Sequence, residues 1–147
     1  MFNDIWVDGY LKAEPYLDTY FSLVTETVFE YPHSFRTEKI WKPIAIGHPF
    51  IIAANTGYYR DLRNLGFKTF DPIIDESFDL IEDNQMRIDR IISVVNEVCR
   101  YNMTSFLREC QEVCKYNQQH LVHMREQVRK KFPNRFFQFL NDNLRQC

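Results

Sequence analysis

Glycine and proline are scarce in this chain, four and six of 147 residues, which excludes collagen-like, linker-rich and low-complexity organisation. No apolar run approaches the ~20 residues that a membrane-crossing helix needs. The opening MFNDIWVDGY lacks the basic-then-apolar order of a secretory signal. We therefore expect a cytoplasmic protein without a membrane partner. Cysteine is sparse as well, and Cys99, Cys110, Cys114 and Cys147 all lie in the last third. Three of them fall in helical patterns, so buried free thiols are expected rather than a disulfide framework. Also missing are the phosphate loop G-x-x-x-x-G-K-[ST], the dinucleotide fingerprint G-x-G-x-x-G and the nucleophile elbow G-x-S-x-G.

Hydrophobic residues make up 45% and charged residues 26% of the chain, the balance of an ordinary globular protein with room for one core. Phenylalanine is abundant, with 13 copies, and core packing is its ordinary use. Charge is uneven. Residues through Glu82 carry 7 Lys/Arg against 13 Asp/Glu, a net of −6, and the remainder carries 11 against 7, a net of +4. The basic surplus gathers in Arg125, Arg129, Lys130, Lys131 and Arg135. So short a cluster reads as a solvated helix face, and nucleic acid is not an expected partner.

Two regimes meet near residue 82. In the first, Tyr20–Thr27 and Pro49–Asn55 read as short buried strands. Thr37–Gly47 between them reads as a helix with Thr37 as N-cap and Gly47 as C-terminal stop, kinked or shortened by Pro43. Thr56–Gly66 reads as a second helix, and Lys68–Phe70 as a third short strand. Strands alternating with helices imply a parallel sheet. The second regime is helical. Ile88, Ile91, Ile92, Val95, Val98 and Cys99 form one stripe. Met103, Leu107, Cys110, Cys114, Leu121, Met124 and Val128 form another, interrupted by Asn117 and broken at Pro133. Phe136, Phe137, Leu140 and Leu144 make a last helix. The expected class is α/β: residues 1–82 a small three-stranded, Rossmann-like segment, and residues 83–147 a helical region packed on it or on a partner. A stripe so long suggests a homodimer through the helical region.

The richest run of polar residues is Glu26–Lys39, ETVFEYPHSFRTEK. Glu26 stands near the carboxyl end of the first strand, and Arg36, Thr37, Glu38 and Lys39 stand where the next helix begins. Ligands of open parallel sheets bind outside the carboxyl ends of strands. A helix N-terminus beside Arg and Lys suits a diphosphate, and a carboxylate there suits ribose hydroxyls. Other groupings are weaker. Asp75, Glu76, Asp79, Glu82 and Asp83 read as a solvated acidic helix start, without the glycine of a calcium loop. Cys110 and Cys114 share the apolar stripe, whereas His120 and His123 point to a wet face, so one zinc ion cannot gather all four. No metal site is expected. Asn55-Thr56-Gly57 ends the second strand and reads as a turn whose backbone could approach a ligand.

The order Leu23-Val24-Thr25-Glu26-Thr27, then Arg36-Thr37-Glu38-Lys39-Ile40-Trp41, then Gly47-His48-Pro49-Phe50-Ile51-Ile52 resembles the donor-binding signature of the α-1,3-fucosyltransferases and related GT-B glycosyltransferases. The similarity covers residues 19–82. It departs at Thr27 and Val28, where the family usually has Asn and Ser. The resemblance implies that Glu38 takes the ribose hydroxyls of a nucleotide sugar, Lys39 faces its pyrophosphate, Glu26 lines the cleft and Arg36 adds a phosphate contact. It also implies a second lobe supplying the general base, which the matched region does not include. Asp4, Asp8 and Glu14 are the carboxylates that precede the motif. The expected function is nucleotide-sugar binding without a complete catalytic apparatus, with a non-catalytic interaction or dimerisation module as the alternative.

Overall fold

Local signals account for where the first elements begin and end. In the computed structural model, which describes residues 11–144, a single-turn helix α1 (Glu14–Leu17) precedes strand β1 (Ser22–Thr25). Helix α2 (Glu38–Ile46) then leads to strand β2 (Phe50–Ala53), and helix α3 (Tyr58–Asn64) follows. Thr37, in extended conformation, caps α2 with its hydroxyl accepting from the Lys39 N–H at 3.3 Å. Gly47 ends α2 at φ 73°, a left-handed position that favours glycine. Pro43 neither stops nor shortens this helix. The only intrahelical bond it removes is the one to the Lys39 carbonyl in the first turns. Helix α4 (Asn84–Val98) begins at Asp83, whose side chain accepts from the Met86 N–H at 2.8 Å.

β1 and β2 pair in parallel, Ser22 opposite Phe50 through Thr25 opposite Ala53. β2 is buried at every position. β1 is an edge strand that buries Val24 and leaves Leu23 and Thr25 exposed. The mixed α/β class holds, but the sheet has two strands among the described residues, not three. Lys68–Phe70 is not a strand. Its backbone partner is a side chain: Asn117, 1% exposed, accepts from the Lys68 N–H and donates to the Lys68 carbonyl, both at 2.8 Å. The amide does for Lys68 what a neighbouring strand would have done. On the far side of β2, the buried Tyr59 hydroxyl accepts from the Ile52 N–H at 2.8 Å.

Helix α5 (Met103–Leu144) is continuous over 42 residues and runs through Pro133, contrary to the expected break. The proline frees the Arg129 carbonyl on an exposed stretch, where water can bond it. Its first half covers the α/β part. Phe106, Cys110, Cys114 and Asn117 are buried, and Val113, Leu121 and Met124 pack at the core's edge. Leu107 and Ile92 are largely exposed, and Phe106 and Val94 take the buried positions instead. One core therefore draws on both halves of the chain, from Val24 and Ile40 to Val98 and Cys114. α5 seats closely on two glycines. A Cβ on Gly47 would lie 2.7 Å from Gln118, and one on Gly66 2.8 Å from His120.

Candidate functional site

Glu26 follows β1 directly, its N–H still bonded to the Ala53 carbonyl at 3.0 Å. Its carboxylate is 7% exposed. It accepts from the Thr37 N–H at 3.2 Å, the Thr37 hydroxyl at 2.6 Å and the Tyr58 hydroxyl at 2.6 Å. Burial and the Glu26 contact push the Tyr58 phenol well above its ordinary pKa, so it remains a donor. One carboxylate thus fastens the start of α2 and the start of α3 to the end of β1. With its oxygens engaged in this way, Glu26 serves as the clamp that sets the geometry rather than as an open contact for a ligand.

The other three residues singled out by the sequence are gathered by that clamp. The Lys39 ammonium donates to the Thr27 hydroxyl at 3.1 Å, at one end of a groove of about 360 Å³ that runs along β1 past Leu23 and Thr25. Glu38 is exposed in the first turn of α2. Arg36 is half-buried, and its Nη1 is buried with no hydrogen-bond partner. It lies close enough to Tyr58 and Asp61 for its charge to oppose the rise at Tyr58 and to add to the lowering at Asp61. Asp61 itself is held below the usual carboxylate range chiefly by the Ser34 hydroxyl, which donates to it at 2.5 Å. Two residues past β2, Asn55 is 3% exposed; its amide donates to the Thr56 carbonyl, while its Oδ1 has no partner. The carboxyl edge of the strand pair therefore holds an unpaired buried donor and an unpaired buried acceptor, beside an ammonium and an exposed carboxylate.

Sequence reasoning missed Arg87, which organises this edge from beneath. It is 2% exposed, on the buried face of α4. Its guanidinium donates to the carbonyls of Ala54 at 3.1 Å and Phe29 at 2.9 Å, and also to those of Ile81 and Glu82. It also lies 4.3 Å from the centre of the Phe29 ring. It ties the 27–36 loop to the end of β2, and none of these acceptors carries a charge. The signal was available: Arg87 precedes Ile91, Val94 and Val98 on the apolar stripe of α4, where a surface arginine would not sit.

The remaining groupings take structural parts. Asp79 caps α3 from a distance, accepting from the Tyr59 and Arg60 N–H groups at 3.0 and 3.2 Å, so that helix start is occupied. Glu76 is buried between the Phe70 N–H and Arg63, each at 2.7 Å, and Asp75 pairs with Arg90. Asp83 caps α4. The acidic run is thus largely consumed by the fold rather than lying along a solvated helix start, and no cluster fit for a metal occurs among the described residues. The 55–57 turn is fixed by the Thr56 hydroxyl and the Gly57 N–H, both donating to the Asp79 carbonyl at 2.8 Å. Of the thiols expected to be buried, Cys110 and Cys114 are, pushed up to about 12 and about 11 by burial, whereas Cys99 at the end of α4 is exposed. Of the two histidines expected on a wet face, His123 is exposed. His120 is half-buried instead, edge-on to Phe67, with Nε2 2.8 Å from the Leu65 carbonyl. Glu14 is exposed on α1, and Asp4, Asp8 and Cys147 lie outside the described residues. No helix among the described residues is long and apolar enough to cross a membrane. A concavity of about 790 Å³ lies between Phe67, Leu80 and Val113.

The chain matches no family model, no curated protein and no solved structure.

Proposed function

We propose that the carboxyl edge of the parallel pair binds the diphosphate of a nucleotide sugar, in the manner of the donor lobe of a GT-B glycosyltransferase. The observation that carries this reading is the unpaired Arg36 Nη1, held by the Glu26–Thr37–Tyr58 clamp beside the N-terminus of α2 and Lys39. A buried guanidinium N–H without an acceptor is costly unless an acceptor arrives, and phosphate oxygens supply one in the geometry that arginine favours. The positive end of the α2 dipole favours the same anion. Asn55 Oδ1 awaits a donor, which a ribose or sugar hydroxyl can provide. On this reading the exposed Glu38 takes the paired ribose hydroxyls. The proposal is binding. Turnover requires a general base within hydrogen-bond reach of the acceptor hydroxyl, and Glu26 is engaged elsewhere.

A thermal-shift screen against GDP, UDP, CDP and their sugars tests the reading. A ligand at 100-fold its dissociation constant adds about 2.7 kcal/mol, which for a chain of this length raises Tm by about 5–10 °C. At least one diphosphate nucleotide gives the shift, and Arg36→Ala and Lys39→Ala each reduce it. No shift with any of them at millimolar concentration removes the proposal. The second reading, an interaction module, is favoured by the exposed phenylalanines of the distal half of α5.

A further inference from the structure

We propose that the distal half of α5 docks into the acidic groove of a second copy of this chain, two antiparallel α5 helices forming a two-fold dimer. Past Met124 the helix no longer touches the core. Val128, Phe132 and Phe136 are 57%, 63% and 47% exposed, and at ~100° per residue they fall within ~80° of one another, on the same stripe that carries Cys110, Cys114 and Leu121. The face that covers the sheet in the first half is bare in the second. Phe132 and Phe136 stack on each other at 5.9 Å, which leaves most of both rings in water. A helix of this length owes its stability to a buried face, so the bare stripe calls for a cover.

Charge selects the cover. Arg125, Arg129, Lys131 and Arg135 lie on or beside the stripe and Lys130 on the opposite face, and from Arg125 to Phe139 Glu126 is the single acidic residue. Two such segments laid directly on each other would repel. Three grooves touch the first half of α5, and the one beside Tyr101, Ser105 and Phe106 carries Glu109 as its one charged residue. The one beside Gly47 and Leu107 carries Arg108 and Lys115, the wrong sign. The third, about 790 Å³, is walled by Phe67, Val113 and Leu80, and carries Asp71 and Asp75, the latter paired with Arg90, while its Asp79 is buried and holds the start of α3. Its cations are engaged, Arg63 with Glu76 at 2.7 Å and Lys68 over the Tyr116 ring at 4.3 Å. Leu80 is 80% exposed at its rim, an apolar contact without a partner of its own chain. The helix cannot fold back into its own groove, because Phe132 lies ~28 Å beyond Val113 at 1.5 Å per residue. A two-fold axis passing beside α5 at the level of residues 122 and 123 brings Phe132 of each copy level with Val113 of the other. Both stripes are then covered and the assembly closes.

The test is the mass of the full chain by light scattering or sedimentation equilibrium, from micromolar to millimolar concentration. The expected result is twice 17.8 kDa, with an affinity that weakens as salt is raised. Phe136→Asp and Leu80→Asp each weaken the dimer ~tenfold or more, although one lies on the helix and the other on the groove. Both side chains are on the surface, so the variants keep the helical circular dichroism of the parent. Asp71→Lys also weakens it, and adding Lys131→Glu restores it. A monomer throughout the range overturns the proposal. So does a dimer indifferent to Leu80→Asp and Asp71→Lys, or a monomer that binds vesicles of anionic lipid through the same phenylalanines. None of these results bears on the nucleotide site, which lies on other residues.

Discussion

A few polar side chains buried at single positions decide how this chain is held together. Asn117 is the clearest. Its two hydrogen bonds to the Lys68 backbone, both 2.8 Å, replace a strand. Asn117→Leu keeps the volume and strands the Lys68 N–H and carbonyl, at about 1–3 kcal/mol for each group left without water. Urea unfolding should show a lower midpoint with an unchanged slope; an unchanged midpoint would mean that another group serves Lys68. Asn117 was visible in the sequence only as a polar interruption of a stripe. Nothing local says that its partner is 49 residues upstream, which is why Lys68–Phe70 reads as a strand and is not one. Arg87 was the opposite case: its place on an apolar face was readable, and only its acceptors needed the structure.

Among the elements, the boundaries set by local chemistry were readable from sequence. Thr37 caps α2 and Gly47 ends it, because capping depends on neighbours within a few residues. Glu26, Arg36 and Lys39 come together because the 27–36 loop returns the chain to the end of β1, where Glu26 holds Thr37. What the sequence did not disclose is that Glu26 is spent on the clamp, since Tyr58 approaches from α3. Proline was over-read twice, at Pro43 and Pro133, because losing one helical bond costs little where the freed carbonyl lies in a first turn or faces water. Gly47 also joins elements, with α5 pressed against it. Gly47→Ala forces an L side chain to φ 73° and against Gln118, whose amide donates to the Ala45 carbonyl at 3.1 Å. The backbone strain alone costs roughly 1–2 kcal/mol, and thermal unfolding should fall by about 2–8 °C. A Tm equal to the parent's would show that α2 and α5 are not locked at this point.

Over the molecule as a whole, acid should unfold the chain through its surface ion pairs. Arg90 beside Asp75 and the Ser34 hydroxyl beside Asp61 hold both carboxyls below the ordinary value of 3.8. The unfolded chain then binds protons first, so their contribution is complete above about pH 4 and is lost as pH falls through the folded values. Glu76 acts in reverse. Burial raises its pKa despite Arg63, so its ionised form is held at some cost and its protonation partly offsets the loss. Asp75→Asn should flatten the decline of stability between neutral pH and pH 3, measured by urea midpoints; an unaltered slope would remove Asp75 from the account. Among the described residues, the carboxyl ends of β1 and β2 are where buried polar side-chain atoms go unanswered. A titration followed by amide NMR locates what answers them. On adding the nucleoside diphosphate that gives the largest thermal shift, the amides of Arg36–Lys39 and Asn55 should move together and saturate at one affinity. Saturating shifts confined to the groove around Leu80, with Arg36–Lys39 unmoved, would contradict the reading.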